Sequence, residues 1–200
     1  MPNGMRRSFF YVLNDEEIEE IKKEILAIGA DIDRFDFNSE KALGTSYDDV
    51  EDMIHVKGNV LPDYSGYSSH PRDLLSVRAV LAHEYYGRRP HREEYLNDRN
   101  TGTETTPRWK DEFRASIEAS QNTPNLDERD KFLLVQDAVQ RTREAGYNIE
   151  ENEYIREVLY GDYSGEKGIS TKLSEFRFHR SAGDNSAAKE RKNYYKMSKV

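Results

Sequence analysis

A single helical segment constrains the fold of this chain more than any other feature. Between about Arg72 and Gly87, apolar residues that include Leu74, Val77 and Leu81 recur at the spacing of one helix face. Only 36% of the residues are hydrophobic and the mean hydropathy is -0.96, so few other segments can supply a core. We therefore expect this segment to be the central core helix.

The other segments predict an α+β fold, a mainly helical single domain with a small β-sheet in its N-terminal half. An amphipathic helix begins at the N-cap Asn14 and ends at Gly29, and the polar residues 88–106 are predicted to form a loop. The remaining predicted elements are strands near Phe35, over Met53 to Val60 and at Phe176 and Phe178, and three helices: one that begins near Pro107, one from the N-cap Asn125 to Gly146, and one from about Glu151 to Gly161.

Three parts of the chain differ in character. Residues 1–7 form an N-terminal extension, residues 8–161 the core domain, and residues 162–200 a basic tail that we expect to be partly disordered. Nine lysines and arginines against five aspartates and glutamates give the tail a charge of +4, whereas the whole chain carries -8. Such a tail can fold back on the acidic body or meet an acidic partner, but a solvated tail is the simpler interpretation.

Composition excludes several classes of protein. Because the chain has no cysteine, it has no disulfide or thiolate nucleophile, and a metal would need His, Asp and Glu ligands. The net charge of -8 argues against general nucleic-acid binding. No apolar run approaches the ~20 residues of a membrane helix, and the N-terminus lacks the apolar core of a signal peptide. We expect a soluble, cytoplasmic protein without a membrane partner.

The central helix carries a His83–Glu84 pair, which almost forms a zinc-protease motif. In that motif two histidines four residues apart share one helix face, and the glutamate activates water. Here Gly87 stands at the fourth position after His83, and Arg88 follows it. One extra residue in the last turn would bring position 88 round to the face of His83, although an arginine does not bind a metal ion.

Other side chains can complete a metal site around this pair. His91 follows the helix end, and a carboxylate from Asp111 or Glu112 lies on the next predicted helix. A zinc ion held by His83, His91 and Glu112, with Glu84 as general base, would suit metal-assisted hydrolysis. The structural alternative is that His83 and Glu84 only tie helices together, through hydrogen bonds to one of three arginines: Arg78, Arg88 or Arg114.

Two stretches of this region resemble a known family. The sequence from Leu75 to Gly87, followed by Trp109 to Ser116, is similar to a domain of uncharacterised proteins from phages, prophages and toxin-like loci of Gram-positive bacteria. This domain sometimes ends phage minor head proteins or polymorphic toxins. The similarity covers roughly 44–161. The family pattern, HEYYGH with a downstream DEFRAS, is similar to a zincin whose first helix contains one additional residue.

The resemblance implies a zincin-like metallopeptidase that acts on a protein or peptide substrate. It makes His83 a zinc ligand, Glu84 the catalytic base and Glu112 a carboxylate ligand, while the second histidine of the family falls on Arg88. The catalytic claim therefore depends on Arg88. The side chains expected to line the cleft are Tyr85, Arg88, Asp111 and Arg114.

Three functional hypotheses follow. The first is a hydrolase of phage or inter-bacterial conflict, delivered into a target cell or carried in a phage particle as part of a larger protein. The second is a non-catalytic interaction module on the same scaffold, in which Arg88 pairs with Glu84 or Glu112 and the partner is an immunity protein or a phage structural protein. The third is a toxin with a different chemistry. Glu151 and Glu153 do not indicate an ADP-ribosyltransferase, because no matching serine strand accompanies them.

Overall fold

Helices dominate the architecture, which is an α+β single domain with small sheets, as predicted. The computed structural model describes residues 5–8, 10–63, 70–161 and 176–181. The α-helices are α1 (Asp15–Ala27), α2 (Pro71–Leu74), α3 (Val77–Ala82), α4 (Arg92–Thr101), α5 (Arg108–Asn122), α6 (Glu128–Glu144) and α7 (Glu153–Tyr160), and a π-helix covers His83–Arg88. The strands are β1 (Met5–Arg6), β2 (Phe35–Asp36), β3 (Ser46–Asp48), β4 (Met53–His55), β5 (Pro62–Asp63), β6 (Tyr147–Glu150) and β7 (Arg177–Arg180).

Helix α1 forms where the sequence predicts it. The Asn14 side chain accepts a hydrogen bond from the Glu17 backbone, and the Glu17 side chain accepts one from the Asn14 backbone, which completes a capping box. Ile21 and Ile25 are fully buried on its inner face. The helix ends where Gly29 takes a left-handed conformation with φ of +69°.

The principal sheet has three short strands in the order β2-β4-β3. Strand β2 runs parallel to β4 and β3 runs antiparallel to it, so that His55 pairs with Asp36 on one side and with Ser46 on the other. Strand β4 ends at His55 rather than at Val60, and a 3-10 turn covers Gly58–Val60. Gly58 lies close to Tyr11 and Ser8, so a Cβ atom there would meet the backbone oxygens of both residues.

The predicted central helix is divided into two. Helix α2 ends at Leu74, and Ser76 begins α3 by accepting a hydrogen bond from the backbone of Ala79. The Ser76 hydroxyl also donates to Asp130 on α6, a long-range contact that the periodicity of the segment does not reveal. Helix α3 then continues directly into the π-helix.

Helix α4 occupies most of the segment predicted to be a loop. Its apolar content is low, and ion pairs and backbone contacts hold it instead. Arg92 donates to the backbone carbonyls of Asp49 and Val50, and Arg99 donates to the Asp49 carboxylate. Tertiary polar contacts of this kind leave no periodic signal in the sequence.

Helices α5 and α6 pack along each other and separate two apolar clusters. The larger cluster joins α1, the three-stranded sheet and α3; the smaller one includes Phe113, Ile117 and Val135. Helix α6 is capped by Asp127, not by Asn125 as predicted. Asn125 has a φ of 58° and donates its side-chain amide to the carbonyl of Ala27.

Two short strands outside the predicted core range 8–161 pair with strands inside it. Strand β1, within the predicted extension 1–7, pairs with β5. Strand β7, within the predicted tail, pairs antiparallel with β6, and Phe176 packs edge-on against Phe113. The expectation of disorder falls mainly on 162–175 and 182–200, which lie outside the described residues.

Candidate functional site

The site is built on the π-helix, where one extra residue enters the turn that carries His83 and Glu84. Bonds from i to i+5 bring Arg88 onto the face of His83, as the motif analysis anticipated for an inserted residue. Gly87 permits the close approach of α5, because a Cβ atom there would lie 2.2 Å from the backbone oxygen of Ala115. Helix α5 therefore places Glu112 and its neighbours directly against the π-helix.

Arg88 is the centre of a cluster of acidic side chains. Its Nη1 donates to Glu112 Oε1 at 2.8 Å, its Nη2 lies 3.2 Å from Asp111 Oδ2, and its Nε lies 3.9 Å from Glu84 Oε2. The guanidinium also lies over the ring of Tyr95 at 5.6 Å. Burial by itself would lower the pKa of Arg88, but the charges of the three carboxylates outweigh burial. The pKa is therefore raised above its usual value, and the guanidinium stays charged.

His83 lies on the other side of Glu112. Its Nε2 is 3.3 Å from Glu112 Oε2, and its Nδ1 is 3.1 Å from the hydroxyl oxygen of Ser116. The Ser116 hydroxyl donates its hydrogen bond to Asp137, so its oxygen accepts a hydrogen bond from His83 Nδ1–H. With the second ring nitrogen facing a carboxylate, both nitrogens are donors and the imidazole is protonated.

The electrostatics of this buried pair agree with that assignment. Burial opposes the charge on His83, but contact with Glu112 and the charge of Glu84 raise its pKa. Burial opposes the charge of Glu112 as well, and by itself would raise the pKa of this carboxyl. Contact with His83 and the charges of Arg141 and Arg88 outweigh burial, so the pKa of Glu112 is lowered. His83 and Glu112 thus form a buried ion pair.

We expect this ion pair to make stability depend on pH. A histidine with a raised folded pKa stabilises fully below about pH 6.5, and its contribution is lost as the pH rises through the folded pKa. Glu112, with a lowered pKa, stabilises above about pH 4.5, and its contribution is lost as the pH falls. The free energy of unfolding in urea should therefore differ most between wild type and His83→Gln near about pH 5.5, and less near about pH 9. A difference that does not change with pH would contradict the assigned charge of His83.

Glu84 is buried and engaged. The residue is 8% exposed, and its Oε2 accepts a hydrogen bond of 2.9 Å from the backbone N–H of Tyr47 on β3. Burial raises the pKa of Glu84, and the charges of His83 and Arg88 oppose that shift. This carboxylate joins the π-helix to the sheet.

Asp111 and Arg114, both predicted to line the cleft, are buried beside Arg88, and of the two Asp111 lines the cleft. Arg114 donates to Asp111 and to Glu94, each at 2.6 Å, and the Tyr95 hydroxyl donates to Asp111 at 2.7 Å. These contacts fix α4 against α5. Tyr85, also predicted to line the cleft, instead stacks on Phe35 with ring centroids 5.8 Å apart.

Sequence reasoning missed the contribution of α6. Arg141 Nη1 lies 3.2 Å from Glu112 Oε2, and Arg141 Nε donates to Asp137 at 2.7 Å. The spacing of Asp137 and Arg141, one helical turn apart, marks an ion pair on one face, and Ser116 stands one turn after Glu112. Neither spacing shows that the two helices face each other.

The predicted zinc site does not fit these contacts. His83 donates from both nitrogens, Arg88 holds Glu112, and His91 pairs with Glu118 at a distance of 2.7 Å. The predicted set of His83, His91 and Glu112 does not converge. Within the described ranges, one group of three potential metal ligands does, and it lies elsewhere: Asp48, Glu51 and His55.

An open cleft of about 380 Å³ lies beside Arg88, between β3, α4 and the start of α5. Two tyrosines and two arginines line it with four acidic residues, so its lining is net acidic. Its charged and aromatic residues are Tyr47, Arg88, Glu94, Tyr95, Asp98, Glu104, Arg108 and Asp111.

Comparison with models of known families, with curated proteins and with solved structures finds no match to this chain. Among the described residues, none of the helices has the length and apolar character that a membrane span requires.

Proposed function

We propose that this chain is a non-catalytic protein-interaction module in which Arg88 replaces the second metal ligand of a metallopeptidase-like pattern. The contacts of Arg88 with Asp111 and Glu112 carry the proposal. Through these contacts Arg88 occupies the side of the π-helix that faces α5, where a second metal ligand would lie. A guanidinium has no lone pair to offer a metal ion.

The other members of the pattern support the same reading. A water-activating base needs a free carboxylate beside the reacting centre, whereas Glu84 accepts from the backbone of Tyr47 and faces Arg88. His83 is held as a cation between Glu112 and Ser116. The same residue types therefore serve to join three helices and a strand.

The acidic cleft beside Arg88 suits a basic segment of a protein partner. Two of its four carboxylates, Glu94 and Asp111, are already bound by Arg114. Asp98 and Glu104 are the cleft carboxylates that have no ion pair among the described residues. Tyr95 and Tyr47 provide aromatic faces on which an arginine or lysine of the partner would pack. The proposed partner is an immunity protein or a phage structural protein, which this chain would bind in the cytoplasm or in a phage particle.

The zinc content of variants tests whether Arg88 stands in the place of a metal ligand. Arg88→His should bind about one zinc ion more than wild type, because a histidine would join His83 and Glu112 on the π-helix. Adding His83→Ala to this variant should remove the extra ion. The zinc content of wild type should not change on His83→Ala alone, as measured by elemental analysis after dialysis. Loss of an ion from wild type on that substitution would overturn the proposal.

Peptide binding tests the proposed partner. A fluorescent oligo-arginine peptide should bind wild type in a salt-sensitive manner, and an oligo-glutamate peptide should not. Asp98→Asn with Glu104→Gln should weaken binding about tenfold, whereas Glu93→Gln, an exposed acid outside the cleft, should not. Equal binding by both variants would refute a role for the cleft.

A further inference from the structure

We infer that Asp48, Glu51 and His55 form a binding site for a divalent transition-metal ion of the zinc or manganese type. The site lies at the three-stranded sheet and shares no residue with the Arg88 cluster. It therefore does not depend on the function proposed above.

The backbone of the sheet brings these residues together. His55 is on the central strand β4, paired with Asp36 of β2, and Asp48 ends the neighbouring strand β3. Glu51 follows in the turn between β3 and β4. One ligand atom from each of Asp48, Glu51 and His55 lies within 4.8 Å of the others.

His55 is the observation that indicates a ligand. The residue is 3% exposed, and neither ring nitrogen has a hydrogen-bond partner in the described part of the chain. A buried polar group without a partner destabilises the folded state, so a bound ligand would account for its presence. Carboxylates face both nitrogens, yet none lies in hydrogen-bonding geometry.

The distances suit an ion between these groups. His55 Nε2 lies 3.6 Å from Asp48 Oδ2 and 3.8 Å from Glu51 Oε2. Ligand atoms bound tetrahedrally at 2.0–2.2 Å are separated by roughly 3.3–3.6 Å. Small side-chain adjustments would bring all three atoms into one coordination shell.

The second oxygen of each carboxylate is already engaged. Asp48 Oδ1 accepts hydrogen bonds from the backbone N–H groups of Val50 and Glu51, and Glu51 Oε1 pairs with Lys41. These contacts leave Asp48 Oδ2 and Glu51 Oε2 directed at the ring of His55.

Asp36 orients the histidine. Its Oδ2 lies 3.4 Å from His55 Nδ1, and its Oδ1 accepts from the backbone of Asn38. A carboxylate beside Nδ1 favours the tautomer with the proton there, which leaves the Nε2 lone pair for the metal. Asp36 is thus a positioning residue.

The ligand set indicates the class of ion. An imidazole with two carboxylates suits zinc or manganese, whereas magnesium and calcium favour sites made only of oxygen. The side chains of Asp48 and Glu51 are 30% and 37% exposed, so an ion can enter and water can complete its shell.

Zinc and manganese titrations of the full chain test this inference. Calorimetry should show one site per chain, with Asp48→Asn and Glu51→Gln each weakening the affinity at least about tenfold. Both substitutions are at partly exposed positions and should leave the fold intact. Glu93→Gln, an exposed acid outside this site, should bind as wild type does.

NMR of the histidine rings identifies the ligand atom. Zinc should shift the Nε2 resonance of His55 and leave the His83 ring unchanged. In Asp36→Asn the metal-free ring of His55 should lose its preference for the Nδ1-protonated tautomer. If Asp36 only supported the fold, this substitution would not change the tautomer of His55. Unchanged His55 resonances at saturating zinc, or equal affinities of wild type, Asp48→Asn and Glu51→Gln, would overturn the site.

Discussion

Replacing Gly87 with alanine is expected to remove most of the stability of the domain. The new Cβ would lie 2.2 Å from the oxygen, 2.7 Å from the carbonyl carbon and 2.8 Å from the Cα of Ala115. All three atoms belong to the backbone of α5, which cannot rotate away as a side chain would. The helices must move apart, and the ion pairs between them would then lengthen.

We expect a loss of roughly 3 kcal/mol or more in the free energy of unfolding, the upper range for overpacking a core. Urea unfolding followed by circular dichroism measures it. Gly102→Ala is the control: open space surrounds Gly102, whose φ is +67°, so only backbone strain of about 1 kcal/mol is expected there. If both variants lost the same free energy, the close approach at Gly87 would not be what stabilises this contact.

Local rules account for the elements that depend on short-range contacts. The capping box of Asn14 and Glu17 and the periodic isoleucines predict α1 almost to the residue. The left-handed glycines at 146 and 161 likewise end α6 and α7 where the sequence places them. Each of these signals lies within one or two helical turns.

Elements that depend on distant partners were not predictable in this way. Ser76 caps α3 where the pattern predicts a continuous helix, and its hydroxyl also reaches Asp130, far along the chain. The aromatic residues Phe176 and Phe178 indicate a strand, as observed for β7, but its pairing with β6 and the packing of Phe178 against Trp109 depend on distant partners. Patterns within a segment do not report such contacts.

The candidate site shows the same division. Helix geometry relates His83 to Arg88 once an extra residue is allowed, and it places Asp111, Glu112 and Arg114 on one neighbouring helix. The approach of α6, which supplies Arg141 to Glu112, required the tertiary structure. The three-residue group at His55 required it as well, because Asp48 and His55 meet through the pairing of β3 with β4.

Removing the charge of Arg88 is expected to have the second large effect. In Arg88→Met the apolar volume is largely kept, but Asp111, Glu112 and Glu84 lose the cation between them. Breaking a buried ion pair from one side typically costs about 3–5 kcal/mol, because the remaining charges stay desolvated. Glu112 keeps His83 and Arg141, so we expect the lower part of that range.

Arg108→Met is the matched control. Arg108 Nε lies 3.9 Å from Glu112 Oε1, the same oxygen that Arg88 binds, but the Arg108 side chain is 88% exposed. Solvent screens that pair, so its loss should change the free energy of unfolding by less than about 1 kcal/mol. Equal effects of the two substitutions would show that Arg88 contributes only as a surface charge.

A double substitution separates charge from packing. If the cost of Arg88→Met comes from uncompensated carboxylates, adding Asp111→Asn should recover part of the lost stability, although Arg114 and Tyr95 also bind Asp111. If the cost comes from packing, the two losses should add. Urea unfolding of the four proteins in this cycle gives the coupling energy between Arg88 and Asp111. A substantial coupling would identify Arg88 as the cation that allows this acidic cluster to be buried, the role on which the proposed loss of metal binding depends.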